Sequence, residues 1–471
     1  MTDELPDADY LLLASRLVPD RDGGFTISVL RRARDMAASG ARVRLLTVDP
    51  GETADHDAAR HEWVGRGLIA RGDDLRNLFD DVRADADWLR AAALPLPAPA
   101  ATAPTRAIAA ADGRTVLELP VIAGDPAWHL SIEPVVVWDV DGERPAGWVP
   151  GFGGLYRAWI DALAAEGARP VVVLCEARQL GELLVAEGKP LLDPSVRVLH
   201  TTHACHVLPP YRWDSPMDDA WSRWLAVADR FDGVLWLTPS QRADVERRVG
   251  GGIRSFVVPH PAPSLASNRP APGRIIVMSS LIARKRVDHV LAVLASVLGQ
   301  LPHARLHVHG DGPERARLEA RAAELGVADA VTWHGHTADP SDAWADADVF
   351  VLASTNEGQG LVLGEALAHG VPAVAYDVPY GPRDILAGGG GILVPDGDVD
   401  ALTGAVTRLL GDRATRDAMA VDARAAAAAM DSAASMRALG HAVRVALDEP
   451  RPRPGRRTAS GGSGTGREPR R

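Results

Sequence analysis

Between Arg274 and Gly411 short apolar runs alternate with amphipathic stretches, and this rhythm constrains the fold more than any other feature of the chain. RIIVMSS precedes VDHVLAVLASVLGQL, RLHVHG precedes ERARLEARAAELG, and VTWHG precedes DPSDAWADA. DVFVLAS then leads into LVLGEALAHG, and VPAVAYD into the turn YGPRDIL. Short unbroken apolar runs suit strands buried on both faces, and the amphipathic partners suit the helices that cover them. The pattern therefore predicts βαβ units in a doubly wound parallel sheet. Ligands of such sheets bind beyond the carboxyl ends of the strands. Polar clusters fall at those ends: Lys285, Gly310-Asp311-Gly312, His334-Gly335-His336 and Asn356-Glu357-Gly358.

The first half begins the same way, with DYLLLAS as a strand, RDGG as a turn, TISVLRRARDMAASG as a helix closed by Gly40, and RVRLLTVD as a second strand. Residues 51–105 are polar and helical in character and end in ALPLPAPAATAP, an expected exposed linker. Residues 106–148 show strand-like pieces with turn signals and predict an antiparallel β-rich insertion. Doubly wound patterning resumes from GGLYRAWIDALAAEGARPVVVLCEA to SFVVPHPAP, and prolines 259–272 mark a hinge. The expectation is an N-terminal Rossmann-like domain over 1–260 facing a second over 261–430, with a ligand cleft between their strand ends.

Composition removes several classes of function. With 46% hydrophobic residues and no apolar run near the ~18 needed for a span, an integral membrane protein is not expected. The acidic start, MTDELPDADYLLL, is unlike a secretory signal, and two cysteines, Cys175 and Cys205, cannot staple a chain of 471 residues. A cytoplasmic location follows. Net charge is −11, and without the last 22 residues, which hold seven Arg and one Glu, the body stands at about −17. Such a body argues against nucleic-acid binding. The Pro, Gly and Ser-rich stretch 449–471 reads as a disordered basic tail, for which peripheral contact with anionic lipid stays open. Only Lys189 and Lys285 are lysines, and the arginine excess reads as codon bias.

STNEGQGLVLGEALAHG carries the chemistry. A helix beginning near Gly360 places Glu365 in its second turn, leaning back toward the strand ends, with Glu357 in the loop before it. The amides of Gly360 and Leu361 stand free at the helix start, where a phosphate is favoured. An anion site bracketed by two carboxylates that accept hydroxyls describes a nucleotide sugar. The competing reading is a helix-terminal carboxylate and a solvated glutamate.

SSLIARKRVDH, HGDGPERARLE, EGQGLVLGEALAHGVPAVAYD and GILVPDGDVDALTGAV resemble the C-terminal domain of GT-B retaining glycosyltransferases of family 4. DVPYGPRDIL, LHTTHACH, LWLTPSQRADVERR and VVPHP are similar, more narrowly, to the poly(glycerol-phosphate) and poly(ribitol-phosphate) α-glycosyltransferases of teichoic acid and to their adhesin-modifying relatives. The resemblance implies an α/β GT-B fold, a helix at 431–448 packing back on the N-terminal domain, and transfer of a hexosyl unit, UDP-linked, to a hydroxyl of an envelope polymer or glycan. It implies no metal or cofactor, a reaction at the inner face of the cell membrane, and leaves self-association through the insertion open. By position, Glu365 would take the ribose hydroxyls, Glu357 the sugar and the reacting centre, and Lys285 the diphosphate. Gly23 and Gly24 would bring backbone to the phosphate side, and His203 would reach the sugar from the opposing domain. The alternative is a non-catalytic GT-B partner subunit; the architecture is also that of non-hydrolysing epimerases, which lack the paired-glutamate block.

Other features keep two readings at this point. His200, His203 and His206 have a spacing that suggests a metal, or only His203 serves the cleft. GDGP is a turn with Pro313 opening a helix, or a ligand contact. Tyr380 and Arg383 shape the acceptor region, or Gly381-Pro382 simply starts a helix. Of the 12 tryptophans some could stack on sugars, though packing explains most. In the family an arginine stands five positions before the diphosphate lysine, and here Ser280 stands there. A hydroxyl cannot fork onto phosphate, so Arg284 or Arg286 must reach round, or Lys285 and the helix terminus act alone, or activity is weakened.

Overall fold

Val- and Leu-rich runs buried on both faces form the strands, and the structure, a computed structural model, describes residues 5–21, 23–121, 131, 133–186, 192–336 and 341–451. Lys189, part of the insertion and residues 452–471 of the expected tail lie outside the described residues. The chain opens with β1 (Asp9–Ala14), α1 (Gly24–Ala38), β2 (Arg42–Thr47), α2 (Thr53–Gly65), β3 (Leu75–Asn77), α3 (Leu78–Ala84) and α4 (Asp87–Ala92). β4 (Thr105–Ala109), β5 (Thr115–Pro120), β6 (Pro134–Trp138) and β7 (Pro145–Pro150) follow. Then come α5 (Gly151–Ala165), β8 (Val171–Cys175), α6 (Arg178–Val185), β9 (Val196–Thr201), α7 (Asp219–Val227), β10 (Gly233–Trp236), α8 (Pro239–Val249) and β11 (Ser255–Val257).

Seven of these strands make a parallel sheet in the order β11-β10-β9-β8-β1-β2-β3. β3 is a correction to the helical reading of residues 51–105: three residues, too few to show a period, extend the sheet by pairing with β2. β4 to β7 form a separate antiparallel sheet in sequence order. Its inner face, with Ile108, Leu117, Val135 and Val137, packs on Phe79, Val82, Phe152 and Trp159 of the flanking helices. The linker reading of the Ala/Pro stretch is corrected at its start, where Leu94 exchanges two backbone hydrogen bonds with Trp148 of β7, at 2.8 and 3.1 Å.

The second domain contains β12 (Arg274–Met278), α9 (Val287–Leu298), β13 (Arg305–His309), α10 (Arg315–Glu324), β14 (Val331–Gly335), α11 (Ser341–Ala345), β15 (Val349–Leu352), α12 (Leu361–Ala368), β16 (Ala373–Tyr376), α13 (Pro382–Leu386), β17 (Gly391–Val394), α14 (Val399–Gly411) and α15 (Arg413–Ala429). Its sheet is parallel, ordered β14-β13-β12-β15-β16-β17. Apolar clusters line both faces, one including Val290, Leu294 and Val406, the other Trp344, Leu363 and Ala423. Pro313 lies in a turn before α10 and does not open that helix, which begins at Arg315.

α16 (Ser432–Asp448), capped by Asp431, returns to the first domain. Its stripe of Met436, Leu439, Ala442, Val443 and Ala446 joins Tyr10, Leu12, Val172 and Leu235 in one core. Residues 449–451, read as the start of a loose tail, are held: Arg254 pairs with Glu449 at 3.1 Å, and Arg451 donates to the Asp193 carbonyl at 3.0 Å. No described helix is long and apolar enough to cross a membrane.

Candidate active site

The second domain supplies a wall built around the start of α12. Gly360, at φ 84°, turns the chain into the helix in the left-handed region that glycine adopts without a Cβ penalty. This leaves the amides of Gly360 and Leu361 outside the helical ladder at the cleft. Glu357, in the loop before, is fixed through its backbone: its amide donates to Pro379 O and its carbonyl accepts from Tyr380, both at 2.9 Å. Its carboxylate accepts from Lys285 Nζ at 2.5 Å, with Arg284 Nη1 at 3.8 Å. Burial alone would raise the Glu357 carboxyl, but the Lys285 and Arg284 charges hold it below the usual range. Burial pushes the Lys285 ammonium down. Glu365, one turn further along α12, pairs with Arg31 of α1 at 3.1 Å.

The first domain faces this wall with the start of α1, where Gly23 is the residue before the helix. A Cβ on Gly24 would lie 3.6 Å from Leu361 Cδ1, so the two expected phosphate-side elements meet across the cleft. Consecutive arginines of α1 diverge: Arg31 goes to Glu365, and Arg32 turns inward to Glu176 at 2.8 Å and Thr201 at 2.9 Å. Glu176, at the carboxyl end of β8, also receives His203 Nε2 at 2.6 Å. Side-chain exposure of Arg32 and Glu176 is 1% and 0%, so this is a wholly buried ion pair. Burial would raise the Glu176 carboxyl, yet Arg32 and His203 hold it well below the carboxylate range.

The proton order of this network follows from the donors. An arginine only donates, so at the 3.4 Å contact of Arg32 with His260 the Nδ1 of His260 accepts. The His260 proton then sits on Nε2, facing His203 Nδ1 at 3.4 Å, and His203 donates from Nε2 to Glu176. Both ring nitrogens of His203 are engaged by protein. Contact with a sugar through a nitrogen requires the longer His260 contact to give way.

Backbone proximity explains a glycine of the EGQG block: a Cβ on Gly358 would collide with the His203 carbonyl, so the domains touch there without side chains. Gln359 reinforces the contact by exchanging two 2.8 Å hydrogen bonds with the His260 backbone. Tyr380 is 1% exposed and donates to Asp244 of α8 at 3.0 Å, while Asp384 receives the Ser240 amide at 3.1 Å. The YGPRD segment is thus a latch between domains, and α13 begins at Pro382. Arg383, tied to Asp377 at 2.7 Å, stays out of the cleft.

The remaining candidates separate. His200 is buried against Trp224 and Phe231, His206 stacks on Tyr380, and neither converges with His203 on a metal. Gly310 and Gly312 press on the backbone of Ser279 and Leu281, which makes GDGP a packing turn. Five tryptophans, Trp63, Trp159, Trp224, Trp236 and Trp344, are fully buried. Arg286 is committed to the carbonyls of Ala353 and Ser354, each at 2.9 Å, and to Asp396. Of the two arginines near the departed position, Arg284 is the one beside Glu357; Ser280 itself is exposed. Glu176, Arg32 and His260 were not singled out in the sequence. The strand-end rule that selected Lys285 would have found Glu176 after VVVLC, whereas nothing marks Arg32 among RRAR.

Comparison with known proteins bears on this architecture. Residues 267–426 match the family described as glycosyl transferases group 1. The chain is 37% identical over 195 residues to an exopolysaccharide phosphotransferase of Streptomyces coelicolor, covering 40% of this chain and 21% of that protein. It is 36% identical over 125 residues to the GtfA subunit of a UDP-N-acetylglucosamine–peptide N-acetylglucosaminyltransferase of Streptococcus gordonii, covering 26% of this chain and 24% of that one. Against the poly(glycerol-phosphate) alpha-glucosyltransferase of Bacillus subtilis identity is 23% over 267 residues, 55% of this chain and 39% of the other. The chain therefore spans less than half the length of these curated relatives. Among solved structures, TarM superposes with a TM-score of 0.73 at 14% identity over 94% of this chain and 100% of that one. Pneumococcal GtfA gives 0.71 at 14% over the same shares. The chain has the GT-B fold, and its residues 267–426 are similar to the glycosyl transferases group 1 family.

Proposed function

We propose that the protein is a retaining glycosyltransferase that moves a hexosyl unit from a nucleotide diphosphate sugar, UDP-linked, to a hydroxyl of an envelope polymer or glycan. The observation that carries this reading is the meeting of Glu357, Lys285, Glu365 and the start of α12 with Gly24 and His203 across one interdomain cleft. The B. subtilis relative named for a polymer glucosyltransferase supports the polymer side of it.

In the proposed reaction Glu365 exchanges Arg31 for the ribose hydroxyls, and Lys285 exchanges Glu357 for the diphosphate. The amides of Gly360 and Leu361 add to the anion site, and Arg284 supplies a further charge. As the bond from the anomeric carbon to the phosphate oxygen breaks, these donors stabilise the leaving diphosphate. The acceptor hydroxyl attacks the same face, its oxygen bonds to the anomeric carbon, and its proton passes to the leaving phosphate. Glu357 holds the sugar at that centre. No metal or cofactor is part of this scheme.

Ser280, in place of an arginine, favours a second reading: a GT-B subunit that assists an active partner. Thermal unfolding with nucleotides tests both. UDP at a hundredfold excess over Kd is expected to add about 2.7 kcal/mol of stability, lost in Glu365→Ala. No stabilisation by UDP, GDP or ADP would overturn the donor assignment, donor hydrolysis surviving Glu357→Ala would remove the role given to Glu357, and UDP binding with no donor turnover would support the partner reading.

A further inference from the structure

Beside the cleft, at the carboxyl ends of β1, β2 and β3, lies a cavity of about 680 Å³, within the size range of ligand sites. One wall is the segment Leu17–Arg21, which runs on toward Gly24; its Asp20 carboxylate stands 3.5 Å from His336 of the second domain. The cavity therefore lies in the first domain, next to the turn that leads to Gly24. Leu17, Val18, Pro19 and Leu75 give it an apolar floor, and Thr47, Asp49, Asp55 and Glu62 give it hydroxyl-accepting groups.

Three of its cations, Arg60, Arg66 and His56, are already paired. Arg66 spends its guanidinium on both Asp20 oxygens, at 3.0 and 2.8 Å, and on Glu62 at 2.8 Å. Arg60 is taken by Asp57 and Asp80, both at 2.7 Å. His56 lies 3.0 Å from Asp80 and 3.4 Å from Asp49. Only Arg21, at the mouth, lacks a carboxylate within 4.0 Å among the described lining residues. A polyphosphate carries a charge on every repeat and needs unpaired donors, and the acidic body adds long-range repulsion. Asp49, in contrast, is 28% exposed at the side chain and braced by His56 and by buried Asn77, whose Nδ2 lies 3.3 Å away, which leaves a fixed carboxylate able to accept from hydroxyls.

We propose that this cavity is the acceptor subsite and takes a neutral polyhydroxylated glycan, not a polyol-phosphate chain. The proposal rests on the glycosyltransferase reading and adds the acceptor class. The test measures donor turnover by the full chain with a panel of neutral gluco-, galacto- and manno-oligosaccharides and, separately, with poly(glycerol phosphate). A neutral oligosaccharide is expected to accelerate turnover saturably. Asp49→Asn is expected to raise the acceptor KM about tenfold, as for loss of a charged hydrogen bond, with stabilisation by UDP retained. Asp20→Asn combined with Glu62→Gln frees Arg66 and is expected to increase retention on immobilised poly(glycerol phosphate) at low salt. Acceleration by poly(glycerol phosphate) that weakens with salt and ignores Asp49→Asn would overturn the proposal. So would the absence of saturation transfer by NMR to every neutral glycan while UDP still binds. Failure of UDP to stabilise the wild type strikes the underlying glycosyltransferase reading instead.

Discussion

The two walls of the cleft solve the same problem with different materials. The second domain uses one contiguous block, in which Glu357, Gly358, Gly360 and Glu365 are placed by a single loop and helix start. The first domain gathers Arg32, Glu176, His203 and His260 from four separate elements into a buried charged network. A contiguous block depends on local backbone geometry, so its charges, although only 9–13% exposed at the side chain, can exchange partners with a ligand. A gathered network has no local geometry to fix it, and buried pairing does that work. The lesson is that the second domain's wall is built to change partners and the first domain's wall to keep them.

Removing a partner should separate the walls most clearly. Glu176→Gln leaves Arg32 charged and buried, and is expected to cost about 3–5 kcal/mol of folding stability by urea denaturation. Glu357→Gln, with its Lys285 partner 11% exposed at the side chain, is expected to cost less, about 1–3 kcal/mol. Equal losses would break the comparison.

Contact between the walls comes next in size. Gly358→Ala drives a methyl into the His203 carbonyl and should cost about 1–3 kcal/mol, with domain opening visible by small-angle scattering. Gly404→Ala, inside α14 with nothing near its added methyl, should instead stabilise by about 0.5–1 kcal/mol. An unchanged scattering profile for Gly358→Ala would remove the glycine from the domain contact.

The first domain's histidines give smaller, pH-dependent effects of opposite sign. Burial works against charging His56, but the hydrogen bonds it donates to the Asp49 and Asp80 carboxylates raise it from 6.5 to about 9. Its contribution is full below pH 6.5 and is lost as pH rises through 9. Burial lowers His206 from 6.5 to about 4, so its neutral form loses stability as pH falls from 6.5 toward 4. Stability measured against pH should therefore fall on both sides, and His56→Gln should flatten the alkaline side. The smallest effect is that of Arg31→Ala: the Arg31–Glu365 pair, 33% and 13% exposed, should be worth under about 1 kcal/mol to folding. UDP should bind more tightly to this variant, because Glu365 no longer needs to leave a partner; weaker binding would make Arg31 a ligand contact.

The contrast between the walls also explains what could be read in advance. Strand runs, helix stripes, the position of Glu365 in a second turn and the turn at Gly360 are set by neighbours a few residues away, so the parallel second domain and its acidic pair were legible. Tyr380 left two readings, and only the packing of one domain on the other turned it onto Asp244. Arg284 and Arg286 are adjacent in type and place, and only the carbonyls that capture Arg286 separate them.

The sequence by itself determined the two Rossmann-like domains and the loop-and-helix block from Glu357 to Glu365, because periodicity and turn chemistry act over short stretches of chain. Tertiary structure alone decided that Arg32, Glu176 and His260 stand behind His203, and that Arg60 and Arg66, which line the cavity with Asp49, are already paired. Charges far apart in the chain find partners only once the sheets fix their separations, and whether a cation is free or neutralised is a matter of a few ångströms.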